Sequence, residues 1–191
     1  HALPVLGLRP ARQETLYVVV TDALGNEAET SFEVVTDALP AYFPVMDLRI
    51  AQQERMEPGF TLFNLTTPSI TNLGLLLIVN DKGEIVWYYE SEKAILDSRR
   101  LSNGNLLFND AAGVLEIDML GKGLRRWAPN RPFVRDTELE NIPIANDNIH
   151  HEVFEMRSHD FLALGVEVRK LQQYPTSETD SESPPTEANV V

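Results

Sequence analysis

Histidine is the residue type in this sequence best suited to group-transfer chemistry, and four are present: His1, His150, His151 and His159. With an ordinary pKa near 6.5, an imidazole can attack as a neutral nucleophile, protonate a leaving group or hold anionic oxygens as a cation. The chain has no cysteine, which excludes thiol nucleophiles, zinc–thiolate sites and disulfide frameworks. His150, His151 and Glu152 are consecutive. Neighbouring side chains on an extended strand point to opposite faces, so this trio does not converge readily on one metal ion. For the same reason at most one imidazole of the pair faces a given cavity. His151 is the favoured one, with His150 packing or bonding against a neighbouring strand. His159 occupies the glycine-like position of a turn and reads as a turn residue, while His1 sits at the chain end.

The remaining chemistry-bearing types have plainer readings. Arg99 and Arg100 open a strand before a turn and read as a solvated strand edge. Asn103-Gly104-Asn105 is turn chemistry, because Asn and Gly accept positive φ. Trp87, Tyr88, Tyr89 and Trp127 could stack an aryl ring, yet their repeated placement favours core packing. No pair of carboxylates can be nominated for glycoside hydrolysis. No residue set calls for a cofactor or a metal.

Composition limits the partners. The 191 residues carry 16 basic and 29 acidic side chains, a formal charge of −13, with 43% hydrophobic and 24% charged residues. That balance describes an acidic globular protein and argues against nucleic acid or anionic lipid as a main partner. The longest apolar stretch, Leu73 to Val79, is far short of the roughly 20 residues that span a bilayer. Neither an initiating methionine nor a signal peptide opens the chain, so it is expected to be a fragment.

The elements that must position the histidines are strands. TLYVVVT, Thr15 to Thr21, is rich in β-branched residues, and TSFEVVT, Thr30 to Thr36, alternates in the two-residue period of a half-buried strand. Gly25-Asn26 between them suits a hairpin loop. Leu8, Pro10, Thr15 and Tyr17 have the spacing found around the penultimate strand of immunoglobulin-like sandwiches, where a tyrosine hydroxyl ties back to the backbone; Tyr17 is the candidate. A whole sandwich needs about 100 residues, so residues 1–38 are expected to be its C-terminal hairpin. Leu39-Pro40 and Phe43-Pro44 mark a boundary. Further strands are expected at Val45–Ile50, Phe60–Leu65, Leu75–Asn80, Ile85–Tyr89, Asn105–Asn109, Val114–Asp118 and Leu124–Trp127. The window from Ser91 to Leu96 is too short for a stable helix.

Internal repetition organises these strands. GLLLIVNDKGEIVWYY, from Gly74, aligns with AGVLEIDMLGKGLRRW, from Ala112, so that Gly83 falls on Gly121, Asn80 on Asp118 and Tyr89 on Trp127. Each copy is a hairpin around an Asn/Asp-x-x-Gly turn. LSNGNLLF, Leu101 to Phe108, is echoed loosely by MRSHDFLAL, Met156 to Leu164. Strand units repeating about every 40 to 50 residues with fixed turns point to a β-propeller. Two blades and part of a third fit into residues 39–171, whereas closed propellers use about four to eight. Residues 172–191, acidic and rich in Ser, Thr and Pro, read as a polar loop or tail leading into a strand begun by Ala188 to Val191.

In order along the chain, EPGFTLFNLT (Glu57 to Thr66), GLLLIVNDKGEIVWYYE (Gly74 to Glu90), DSRRLSNGNLLF (Asp97 to Phe108), EIDMLGK (Glu116 to Lys122) and HHEVFEMRSHDFLAL (His150 to Leu164) resemble the arylsulfotransferase family. The resemblance covers most of the chain from about residue 39. It implies an all-β protein with a small immunoglobulin-like sandwich before a six-bladed propeller whose central channel holds the site. It also implies sulfuryl transfer from a phenolic sulfate ester to a phenol, by ping-pong through a sulfated histidine, without a nucleotide donor. The periplasm or secretion is the implied location, and homo-oligomerisation stays open. His150 and His151 match the family's His-His-Asp motif, with Glu152 in place of the aspartate. The sulfated histidine and the sulfuryl-binding arginine belong to later blades, so this piece alone is expected to be inactive. The alternative is a sandwich–propeller binding module with structural histidines, since fold by itself does not fix function.

Overall fold

The computed structural model describes residues 2–66, 73–110, 112–129, 139–146, 148–165, 169–172 and 187–190. Fourteen strands and one short 3-10 turn, Gln53–Arg55, are present, with no α-helix among the described residues. The chain is all-β, in several separate sheets, none of them closed on itself. It divides into two compact units, residues 1–63 with 76–90 and residues 64–75 with 91–191.

In the first unit, β1 (Gln13–Thr21) and β2 (Glu27–Val35) form an antiparallel hairpin, with Leu16 opposite Phe32 and Tyr17 opposite Ser31. Tyr17 is 68% exposed, so its hydroxyl is not the expected backbone tie. Thr36 supplies one instead, its hydroxyl donating to the Arg9 carbonyl at 2.5 Å. Residues 45–50, expected as a strand, pair with no neighbour in any sheet. Val45 is 95% exposed and Asp47 pairs locally with Arg49. Alternating polarity alone does not make a strand when the backbone joins no ladder.

A three-stranded sheet of order β3-β4-β5 joins β3 (Thr61–Thr66), β4 (Gly74–Val79) and β5 (Ile85–Ser91). Leu75, Leu76 and Leu77 of the central strand are fully buried, as a near-continuous apolar run covered on both faces demands.

The second unit holds the histidine pair. β6 (Ile95–Arg100), β7 (Leu106–Asp110), β8 (Gly113–Ile117) and β9 (Gly123–Pro129) form an antiparallel meander. β10 (Glu140–Ile144) adds parallel to β9, giving the order β10-β9-β8-β7-β6. β11 (Ile149–Glu155) and β12 (Phe161–Gly165) make a hairpin, as do β13 (Arg169–Gln172) and β14 (Glu187–Val190). The strand expected to begin at Ala188 is therefore present; residues 173–186 of the acidic stretch lie outside the described residues.

Every residue of β7 and β8 is buried, and the two-residue period sorts them onto two faces. Leu107 and Val114 belong to a core cluster with Leu101, Ile149 and Val153, and Trp127, Ile144 and Phe161 pack against it. Trp127 meets Phe161 edge-on at 5.0 Å, which bears out its reading as a packing residue. Two carboxylates are buried in this sheet. Asp110 is clamped by both terminal nitrogens of Arg126 at 2.9 to 3.2 Å. Glu116, fully buried, accepts from the side-chain amides of Asn105 at 2.6 Å and Asn103 at 3.1 Å. Its other oxygen lies 2.8 Å from Arg125 Nε, off the line of the N–H bond, so the contact is an ion pair rather than a hydrogen bond.

Five hairpin turns share one hydrogen-bond pattern, closed at Asp22/Asn26, Asn80/Glu84, Leu101/Asn105, Asp118/Lys122 and Met156/Asp160. In each, the fourth residue has positive φ: Gly25, Gly83, Gly104, Gly121 and His159. Glycine takes that conformation without a Cβ clash. At Asp22, Asn80 and Asp118 the side-chain oxygen also accepts from the backbone N–H groups two and four residues on. The sequence repeats are thus repeats of turn chemistry as well as of strand pattern.

Candidate active site

β11 docks on the meander through apolar side chains at Ile149 and Val153, and between these anchors its ladder with β12 is interrupted. His150 pairs with Leu164, but Val153 is the next residue to pair, with Ala163. His151 and Glu152 form the bulge, and His151 has a φ of 56°, in the left-handed region. A bulge re-aims side chains and ends the simple alternation of the strand. The expectation that His150 and His151 point to opposite faces therefore fails: their rings lie edge to face with centroids 4.9 Å apart. His151 is exposed and His150 half-buried, and the buried Nδ1 of His150 has no hydrogen-bond partner among the described residues.

Polar side chains of the meander grip the backbone around this bulge. Asn109, on β7, donates its amide to the His151 carbonyl at 3.0 Å. On β6, Asp97 accepts from the Val153 N–H at 3.0 Å, and Arg99 Nε donates to the Val153 carbonyl at 2.7 Å. Arg99 also pairs through its terminal nitrogen with Glu152, and its guanidinium lies 5.3 Å from the Phe154 ring centre. Arg99 is thus not the solvated edge residue its sequence position suggests; it ties β6 to β11. Glu152, which stands where the family motif has aspartate, is engaged with that arginine. Arg100 is exposed, as expected.

Ser102, Glu155 and His159 form a second polar group at the tips of two hairpins. Ser102 donates from both its N–H and its hydroxyl to Glu155 at 2.8 Å, and His159 Nδ1 lies 3.1 Å from Glu155 and 3.3 Å from the Ser102 hydroxyl. One ring nitrogen faces both partners, whereas a nucleophilic triad needs the two nitrogens to serve different groups. The trio is a clasp. The Ser102 backbone bond, followed by the His159 and Ser102 side-chain bonds, holds the Glu155 carboxyl below its ordinary pKa. No three His, Asp or Glu residues converge in metal-binding geometry among the described residues.

Sequence reasoning singled out the imidazoles but missed Asn109 and Asp97, and misread Arg99. Asn109 follows the apolar run Leu106-Leu107-Phe108 and precedes Asp110, so in sequence the pair reads as the polar end of a strand and carries no signal of a buried amide.

These features define an all-β protein built from repeated hairpins, with a paired-imidazole bulge on a strand that docks against a buried meander. The sequence model described as Arylsulfotransferase (ASST) matches residues 47–183, and the chain belongs to that family. No curated protein and no solved structure matches it.

Proposed function

We propose that this chain forms the end of an immunoglobulin-like sandwich, residues 1–38, and the opening blades of a six-bladed propeller, residues 39–171, of a periplasmic or secreted aryl-sulfate sulfotransferase. The family match over residues 47–183 carries the reading. The four-stranded meander β6 to β9 followed by the β11–β12 hairpin, with recurring turns, supports the blade assignment.

In this reading an imidazole nitrogen attacks the sulfur of a phenolic sulfate ester. The bond from sulfur to the aryl oxygen breaks, its electron pair leaves with that oxygen, and the phenolate takes up a proton. The sulfated histidine then gives its sulfuryl group to a second phenol, which loses its proton. Sulfuryl transfer passes through a loose transition state with charge on the equatorial oxygens, as phosphoryl transfer does, so positioned cations and proton donors do most of the work. His151, exposed, and His150 beside it supply such groups: one protonates the departing phenolate while the other holds sulfuryl oxygens. The nucleophile is a further histidine from another blade.

The test is release of nitrophenolate from 4-nitrophenyl sulfate in the presence of a phenol acceptor. The intact parent protein should turn over only with the acceptor present. His151→Ala in it should lower kcat about 100-fold or more, the ordinary worth of a general acid, and the 191-residue chain alone should be inactive. Absence of activity in the parent, or ready turnover by this chain alone, contradicts the reading.

A further inference from the structure

Asn109 is completely buried, on a strand where Leu106, Leu107 and Phe108 are buried too. Its cross-strand neighbours are Asp97 on β6 and Val114 on β8, so it shares their face of the meander. That face is the one β11 covers: Val114 packs with Val153, and Asp97 binds the Val153 N–H. An apolar residue would fill this position without the desolvation cost that an amide incurs. That cost is only partly recovered, because Asn109 Oδ1 has no hydrogen-bond partner among the described residues. What the amide gains is one contact, Nδ2 to the carbonyl of His151.

The contact falls on the residue with the least favourable backbone in the strand. Non-glycine residues enter the left-handed region at a cost and stay there only when their surroundings hold them. The peptide carbonyl that follows the His151 φ of 56° is the group Asn109 binds. Two residues on, Val153 is fixed at both its N–H and its carbonyl by Asp97 and Arg99. The bulge is therefore held at both ends by polar groups of the meander, and the edge-to-face packing of His150 on His151 follows from that conformation.

We propose that Asn109 is a positioning residue for the histidine pair: by holding the His151 carbonyl it keeps the bulge left-handed and the two imidazoles side by side. The structural half of this inference is independent of the reaction; its kinetic half rests on the sulfuryl-transfer reading. Asn109 touches no reacting atom and acts only through the backbone of its neighbour strand.

The experiment compares Asn109→Asp and Asn109→Ser in the intact protein. Two readouts are taken: the nuclear Overhauser contact between the His150 and His151 rings, and turnover of 4-nitrophenyl sulfate. Aspartate has the same shape, but its carboxylate cannot donate to a carbonyl, whereas its protonated form can. Burial and the neighbouring Asp97 carboxyl raise the pKa of the introduced acid, so the ring-to-ring contact should persist in Asn109→Asp while that acid is protonated and be lost as the pH is raised through its titration. In Asn109→Ser, and in Asn109→Asp once its carboxylate is charged, kcat should fall about 10- to 100-fold with KM nearly unchanged, as a misplacement of about 1 Å in a positioned group produces. Asn109→Ser, neutral and small, serves if the aspartate variant does not fold, and should lose the contact at every pH. Retention of the ring contact in folded Asn109→Ser, or in Asn109→Asp with its carboxylate charged, overturns the proposal whatever the activity. Loss of the contact with undiminished turnover leaves the positioning role standing and overturns the sulfotransferase role assigned to the pair.

Discussion

Replacing each partner of the Glu116–Arg125 pair by methionine should have unequal consequences. Glu116 is fully buried, while the Arg125 side chain is 42% exposed. In Glu116→Met the guanidinium turns to solvent and rehydrates, and Asn103, which is exposed, and Asn105, half-buried, regain water as well. Two hydrogen bonds to a carboxylate are lost, each worth about 1.5 to 3 kcal/mol when fully shielded and less here, where the donors can be hydrated. Methionine restores apolar packing of similar volume, so a net loss of about 1 to 2 kcal/mol is expected. In Arg125→Met the carboxylate stays in the sheet without its counter-charge. Breaking a buried pair in that way costs about 3 to 5 kcal/mol, reduced to roughly 2 to 3 because both amides still bind Oε1 and the lost partner was partly solvated. Urea unfolding followed by far-ultraviolet circular dichroism, which does not depend on the Trp127 ring that the Arg125 guanidinium overlies at 5.6 Å, measures both. Should Glu116→Met prove the more damaging of the two, the argument from unequal rehydration is wrong.

Three further outcomes follow from the same geometry. Leu107→Ala, at a fully buried position in the core beneath β11, should cost about 2 to 5 kcal/mol, seen as a lower urea midpoint with an unchanged slope. His159→Gly relieves a φ of 65° and gives up ring contacts that are largely solvated; a net gain of roughly 0.5 kcal/mol is expected, and a loss would show that the clasp to Glu155 outweighs the strain. The Glu155 carboxyl sits below its ordinary pKa because Ser102 and His159 bind its charged form. Its stabilisation is complete above the unfolded value near 4.3 and is lost as pH falls through the lower folded value. Glu155→Gln should therefore flatten the decline of stability below about pH 4.5, measured by urea titrations across that window.

The turns were the most legible part of the fold, because Asx and glycine at fixed offsets encode one hydrogen-bond pattern, and four of the five glycine-type positions are glycine itself. Strands of β-branched and leucine-rich composition were legible for the same local reason. Only the end of β6 was visible: Ile95–Arg100 is mostly polar because Ser98 binds Asn64 and Arg99 binds Val153, contacts between strands distant in sequence. β10 was missed because it carries Pro143, a residue that sheet ladders tolerate only at an edge. The error at residues 45–50 is the converse, a local pattern that joins no ladder. At the site, residue type singled out the imidazoles, but their relative direction depends on a bulge fixed by Asn109 from 42 positions away. No local periodicity carries that information.

The parallel addition of β10 bears on how this molecule behaves in a crowded solution. Without it, β9 would offer an open row of amides and carbonyls for another polypeptide to extend. β10 takes that row over, from Glu140 opposite Arg125 to Ile144 opposite Pro129, and Pro143 leaves the new border one N–H short. A chain trying to grow onto this border meets a broken template, so fibril-like stacking from that side of the sheet is discouraged by the backbone itself.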